Sequence, residues 1–118
     1  MKKRDDATYL HDILDSVRLI EQFLKGITYQ GFLGDALRQN AVLRCLEVVG
    51  EAARNVSASL RSRYPAVPWN DIIGMRHKIA HDYTDIQLPM VWDTVTNDLP
   101  VFKKQVEQIL EDLAGRGG

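Results

Sequence analysis

The spacing of apolar residues predicts an all-α protein, an up-and-down bundle of four main helices that pairs as a homodimer. Two long stretches carry the helical reading. Leu10, Ile13, Val17, Ile20, Leu24 and Ile27 recur at steps of three and four, and Leu88, Val91, Trp92, Val95, Leu99, Phe102, Val106, Ile109, Leu110 and Leu113 do the same. No stretch alternates with the period of a strand, and neither a repeat nor a low-complexity linker divides the 118 residues. Short connections between such helices read as one bundle domain, residues 1–118. With 45% apolar residues the chain can bury a core of its own.

The first helix begins where Asp5 or Asp6 can cap it and closes near Gly26. Residues 29–34 read as a connection whose Phe32 and Leu33 plug the bundle end. A long second helix is predicted from about Asp35 to Arg61. Its apolar residues, among them Leu37, Val42, Leu43, Cys45, Leu46, Val48, Val49, Ala53, Val56 and Leu60, go most of the way round. Such a helix is covered on two sides, by its own bundle and by something else. A narrow polar stripe remains at Asn40, Arg44, Glu47, Glu51 and Asn55. The simplest reading is a solvated seam with an Arg44–Glu47 pair worth about 0.2–0.5 kcal/mol. The other is that Glu51 or Glu47 points into a site and orients an arginine.

Residues 64–68 break the pattern with two prolines, and Pro68 suits the first turn of a third helix. Trp69, Ile72, Arg76, Ile79 and Tyr83 form one face of it. Gly74 weakens it by about 1 kcal/mol relative to alanine, so packing must hold it. Thr84 or Asp85 caps the fourth helix, whose phase runs straight through Pro100, predicting one kinked helix rather than two. The tail, residues 114–118, is expected to be disordered.

Net charge is −1, which argues against loose binding of nucleic acid by the whole chain. The charge is uneven, however. Five basic residues stand against Asp71 between Arg54 and Lys78, and seven acids against two lysines between Asp82 and Asp112. This is either ordinary solvated helix faces or a local basic region that steers a polyanion. The single cysteine, Cys45, excludes an intramolecular disulfide and reads as core filling. No membrane-length apolar run and no signal-peptide pattern occurs, so a cytoplasmic protein is expected.

Met75-Arg76-His77-Lys78-Ile79-Ala80-His81-Asp82-Tyr83 is the stretch densest in chemistry. At about 100° per residue, Arg76 and Tyr83 fall on one stripe while His77 and His81 share another. Arg76 and His81 converge on one site only if the helix frays or a second molecule closes the pocket, which points to a dimer. Three readings compete. His77 and His81 have the spacing of two metal ligands, but Lys78 stands where zinc proteases have glutamate, and a cation beside Arg76 and Lys78 is repelled. Metal-free RNA cleavage needs a histidine to take the 2′-hydroxyl proton and an arginine to neutralise charge on the phosphate. The third reading is that these groups merely cap and pair within the bundle.

Arg76-x4-His81-x-Tyr83 resembles the R-x4-H-x-Y motif of the HepT-like ribonuclease toxins of the HEPN superfamily. Val49-Gly50-Glu51-Ala52-Ala53, residues 67–75 before the arginine, and Val91-Trp92 after it resemble that family too. The likeness runs from about Leu10 to Leu113. It implies a dimeric all-α bundle with the motif lining a cleft at the two-fold interface, and a metal-independent RNase acting on RNA without a cofactor. Arg76 and His81 would then be catalytic. His77, where the family commonly has another polar residue, would assist with Lys78 in binding phosphate, and Glu51 would support the arginine from behind. The resemblance also implies the toxin of a type VII toxin–antitoxin system, silenced by an MNT-type nucleotidyltransferase that attaches AMP to Tyr83. A non-catalytic nucleotide-binding or partner-binding module is the alternative the superfamily offers.

Overall fold

The computed structural model describes residues 4–81 and 86–117, residues 80, 81, 116 and 117 by their backbone alone. Every regular element among them is helical. The first periodic stretch forms α1, Asp6–Leu24. Asp5 takes the cap position and accepts from the Thr8 backbone N–H at 2.9 Å, satisfying one of the open donors of the first turn. Leu10, Ile13, Val17 and Ile20 are all essentially inaccessible to solvent, the face their spacing predicts. Gly26 turns the chain out of the helix at φ +74°, where a side chain would be strained.

The connection that follows is more regular than the sequence suggests. Thr28 accepts from the Gly31 N–H at 3.0 Å and so starts a one-turn helix, α2, Tyr29–Leu33. Phe32 is fully buried, with its ring 5.4 Å from that of Trp92.

The predicted helix from Asp35 to Arg61 is in fact two, α3 at Ala36–Asn55 and α4 at Ala58–Arg63. Val56 is extended (φ −63°, ψ 138°), and Ser57 caps the new helix by accepting from the Leu60 N–H at 3.1 Å. The break is fixed from a distance. Asp6 accepts from both the backbone N–H of Ser57 (2.8 Å) and its hydroxyl (2.7 Å), clasping the start of α1 to the turn. That contact spans 51 positions, so no local pattern announces it.

α5 runs from Trp69 to His81. Pro68 sits just ahead of it, one residue before the first turn, and its carbonyl accepts from the Ile72 N–H at 3.1 Å. The Trp69 indole donates to the Tyr64 carbonyl at 3.1 Å and meets the Phe102 ring edge-on at 6.3 Å. These contacts, with buried Ile79, hold a helix that propensity alone would not.

The last helical run is continuous through α6 (Leu88–Asp93), a π-helical segment (Thr94–Asp98) and α7 (Leu99–Gly117). Pro100 cannot donate an N–H, and its ring crowds the carbonyl four residues back. The helix widens just ahead of it, and the Leu99 N–H reaches back five residues to Thr94. The single helix predicted from phase is therefore present, with a π segment in the place of the expected kink. It also continues through residues 114–117, where the sequence alone predicts a disordered tail. Gln87, rather than a side-chain cap, precedes α6; Thr84 and Asp85, the caps expected from sequence, lie outside the described residues.

α3 is the hub, in contact with both α1 and α5, while α1 also meets α7. Val42, Leu43, Cys45, Leu46, Val49, Ala52 and Ala53 are buried and only Leu37 stands out into solvent. The second covering that the sequence assigns to another body is thus supplied largely by α5 of the same chain. Cys45 fills this core as expected, and its burial pushes the thiol pKa up, which makes it inert. No helix among the described residues is long and apolar enough to cross a membrane.

Ser57→Ala removes the cap and the hydroxyl half of the Asp6 clasp together, leaving the backbone N–H bond to Asp6. It is expected to destabilise the protein by about 1–2 kcal/mol in urea unfolding. Were residues 35–61 one helix, the same change would be neutral or slightly stabilising.

Candidate active site

Two helices create the site by coming unusually close. A Cβ built on Gly50 of α3 would lie 2.4 Å from the Cβ of Arg76 and 3.0 Å from the Ile72 carbonyl oxygen, so only glycine fits. With the backbones in contact, the next residue on α3 faces the arginine. The Arg76 Nε lies 2.8 Å from a Glu51 carboxylate oxygen. Arg54, one turn along, reaches the same carboxylate at 3.0 Å, and the Asn55 amide donates to it at 3.3 Å and to the Glu51 carbonyl at 2.9 Å. One carboxylate therefore holds two guanidiniums.

The hydrogen bond from Arg54 is the largest influence holding the Glu51 carboxyl below its ordinary pKa; partial burial opposes it, and the charges of Arg54 and Arg76 reinforce it. A lowered pKa in the folded state means the stabilisation is fully present at neutral pH. It is lost only as pH falls through that lowered value. Arg76 and Glu51 side chains are 37% and 40% exposed, so solvent screens the pair and its worth in stability is small. Its consequence is positional: the arginine stands at one place and in one orientation.

That place is the edge of a cleft of about 380 Å³, bounded by Tyr9 and Asp12 of α1, Arg44, Glu47 and Glu51 of α3, and Arg76 of α5. A guanidinium carries five donors, more than one carboxylate can take up, and presents them in the planar fork that suits a phosphate. The structure thus brings together Glu51 and Arg76. It does not bring Lys78 with them: that residue is exposed and lines a different groove, between α5 and the α6–α7 helix. His77 is exposed and does not line the Arg76 cleft within the single chain. The side chain of His81 and all of Tyr83 lie outside the described residues. Among the described residues no three His, Cys, Asp or Glu side chains gather to hold a metal ion. Glu51 contacts Arg76 as its orienting reading expects, and at 40% exposure it also remains in the solvated seam with the Arg44–Glu47 pair. Gly50 enters the sequence reading only through the family resemblance; a glycine inside an otherwise good helix is the sequence signal of a close approach.

The described residues thus form an all-helical fold that holds an arginine by a carboxylate at the edge of a polar cleft. The profile of the family described as "Ribonuclease HepT-like" matches residues 13–109. The chain is 37% identical over 116 residues to "Putative RNase MJ1216" of Methanocaldococcus jannaschii, covering 98% of this chain and 96% of that one. It is 36% identical over 107 residues to "Probable ribonuclease HepT" of Thermococcus cleftensis, covering 91% and 97%. No solved structure gives a significant match. The chain belongs to the HepT-like ribonuclease family.

Gly50→Ala tests the close approach. The added methyl must push α5 away or be refused, so a loss of about 1–3 kcal/mol in thermal or urea unfolding is expected, against the gain that glycine-to-alanine brings in an open helix.

Proposed function

We propose that this protein is the RNase toxin of a type VII toxin–antitoxin system, cleaving RNA without a metal by means of Arg76 and His81. The observation that carries the reading is the Arg76–Glu51 contact, which holds the motif arginine at a cleft in a chain of this family. His81 takes the proton of a 2′-hydroxyl, the 2′-oxygen bonds to phosphorus, and the bond from phosphorus to the 5′-oxygen breaks. The leaving oxygen collects a proton from an imidazolium or water; His77 is the remaining imidazole of the motif. Arg76 stabilises the charge that builds on the non-bridging oxygens, and Glu51 keeps it aligned.

The working form in this reading is a symmetric dimer of up-and-down four-helix bundles. Support comes from the turn of the helix that separates Arg76 from His81, and from the groove between α5 and α6–α7. That groove, about 870 Å³, is lined by exposed Met90 and Val101 and by Gly74, beside which nothing lies within 4 Å. A second copy seated there would pack on the α5 face next to the one that carries Arg76, covering Met90 and Val101. Val101→Glu is expected to shift the protein from dimer to monomer in sedimentation; an unchanged dimer would move the interface elsewhere.

Purified protein is expected to cleave RNA in excess EDTA, and Arg76→Ala or His81→Ala to reduce the rate by about 10²–10⁴-fold with the fold intact. Arg76→Lys should recover only part, since a lysine cannot present the planar fork. Activity that vanishes with chelator and returns with a divalent ion would revive the metal-ligand reading of His77 and His81. Protein that binds mononucleotide in the cleft and leaves RNA whole would favour the non-catalytic module.

Tyr83 is the regulatory handle in this reading, since a phenol is a poor general base at neutral pH. Adenylylation by the MNT-type partner would set a phosphate against Arg76 and an adenosine in the cleft. Tyr83→Phe is expected to retain much of the RNase activity and to escape silencing by partner and ATP. AMP mapped by mass spectrometry to Tyr64 or Tyr9 would contradict this.

A further inference from the structure

We propose that Tyr9 and Arg44 form a subsite for a nucleotide of single-stranded RNA flanking the phosphate that Arg76 contacts. The inference rests on the ribonuclease reading of that arginine, and adds residues from α1 and α3 that the motif does not contain.

The Tyr9 ring lies along the cleft, half-buried against the core, and the Arg4 guanidinium sits 5.3 Å over its centroid. A planar cation packed on that face shows it is suited to stacking. Arg4 is itself 53% exposed and its 2.9 Å pair with Asp12 is a weak surface one, so a base can displace it from the ring. Stacking of this kind takes any base but needs it out of a duplex, which selects single strands.

Arg44 supplies the charge. Arg44, Glu47 and Glu51 follow one another at i, i+3 and i+7 on α3, one stripe facing the cleft. Arg44 stands about 10 Å along the axis from Glu51, and hence from the arginine Glu51 holds, leaving room for a nucleotide between two phosphates. Its pairing is the loosest of the three cleft arginines: 3.7 Å to Glu47 against 2.9 Å for Arg4–Asp12 and 2.8 Å for Arg76–Glu51. Its side chain is 75% exposed. Arg44 can therefore turn to a phosphate at little cost. The three acids that balance these cations keep the cleft from holding just any polyanion. The stacked base is what makes a nucleotide preferable to inorganic phosphate.

The test is binding of a fluorescent 2′-O-methyl RNA hexamer of mixed sequence, which cannot be cleaved because it lacks the attacking hydroxyl. Anisotropy should show Tyr9→Leu weakening the hexamer about tenfold and Tyr9→Trp restoring it. Arg44→Gln, on an exposed side chain that cannot unfold the protein, should weaken it and flatten the salt dependence by about one counterion. Wild-type protein that does not bind the hexamer, Tyr9→Leu or Arg44→Gln within twofold of wild type, or Tyr9→Trp as weak as Tyr9→Leu would overturn the subsite. Because binding is read without cleavage, an inactive wild-type protein that still shows these effects would end the ribonuclease reading and leave the subsite standing.

Discussion

The approach of α3 to α5 at Gly50 is the constraint on which the rest of the arrangement depends. Without a Cβ at that position the two backbones meet, and Glu51 is set one residue on, where its carboxylate reaches the Arg76 Nε at 2.8 Å. A larger spacing would leave a long flexible arginine on a helix surface, free to sample many rotamers and to lose that entropy only on meeting a phosphate. Holding it beforehand lowers the cost of ordering it later, which is how a half-exposed ion pair of little value to stability can matter to binding.

The packing also changes where a second copy would have to sit. The sequence shows α3 apolar most of the way round, and that excess reads naturally as a surface awaiting a partner. In the structure α1 and α5 of the same chain cover most of it, and only Leu37 is left well exposed. The open apolar surface is instead beside α5, at Met90 and Val101 on α6 and α7. A helix's own composition tells how much of it is buried, not whether the cover comes from within the chain.

Long-period features were legible in the sequence and local breaks were not. The faces of α1 and of the α6–α7 run follow from spacing, and the phase across Pro100 revealed one helix before its π segment could be seen. The end of α3 at Asn55 could not be read, because Ser57 is capped into a new helix by a carboxylate, Asp6, from the start of the chain. The site divides the same way. Arg76 stood out by chemical density and by its motif. Its partnership with Glu51 is one of two readings of a polar stripe, and the cleft wall from Tyr9 and Arg4 is invisible in sequence, since α1 and the residues just before it join α3 and α5 only through the fold.

If Glu51 acts through Arg76 as proposed, a double-mutant cycle on RNA cleavage reads the coupling between them. Glu51→Gln alone should lower kcat/KM about tenfold, chiefly through kcat, with the fold intact by circular dichroism and with Arg54 still in place. In an Arg76→Ala background the same change should do almost nothing, because the group it positions is gone. Losses that multiply independently in the double variant would instead make the 2.8 Å contact an ordinary surface ion pair with no part in positioning Arg76.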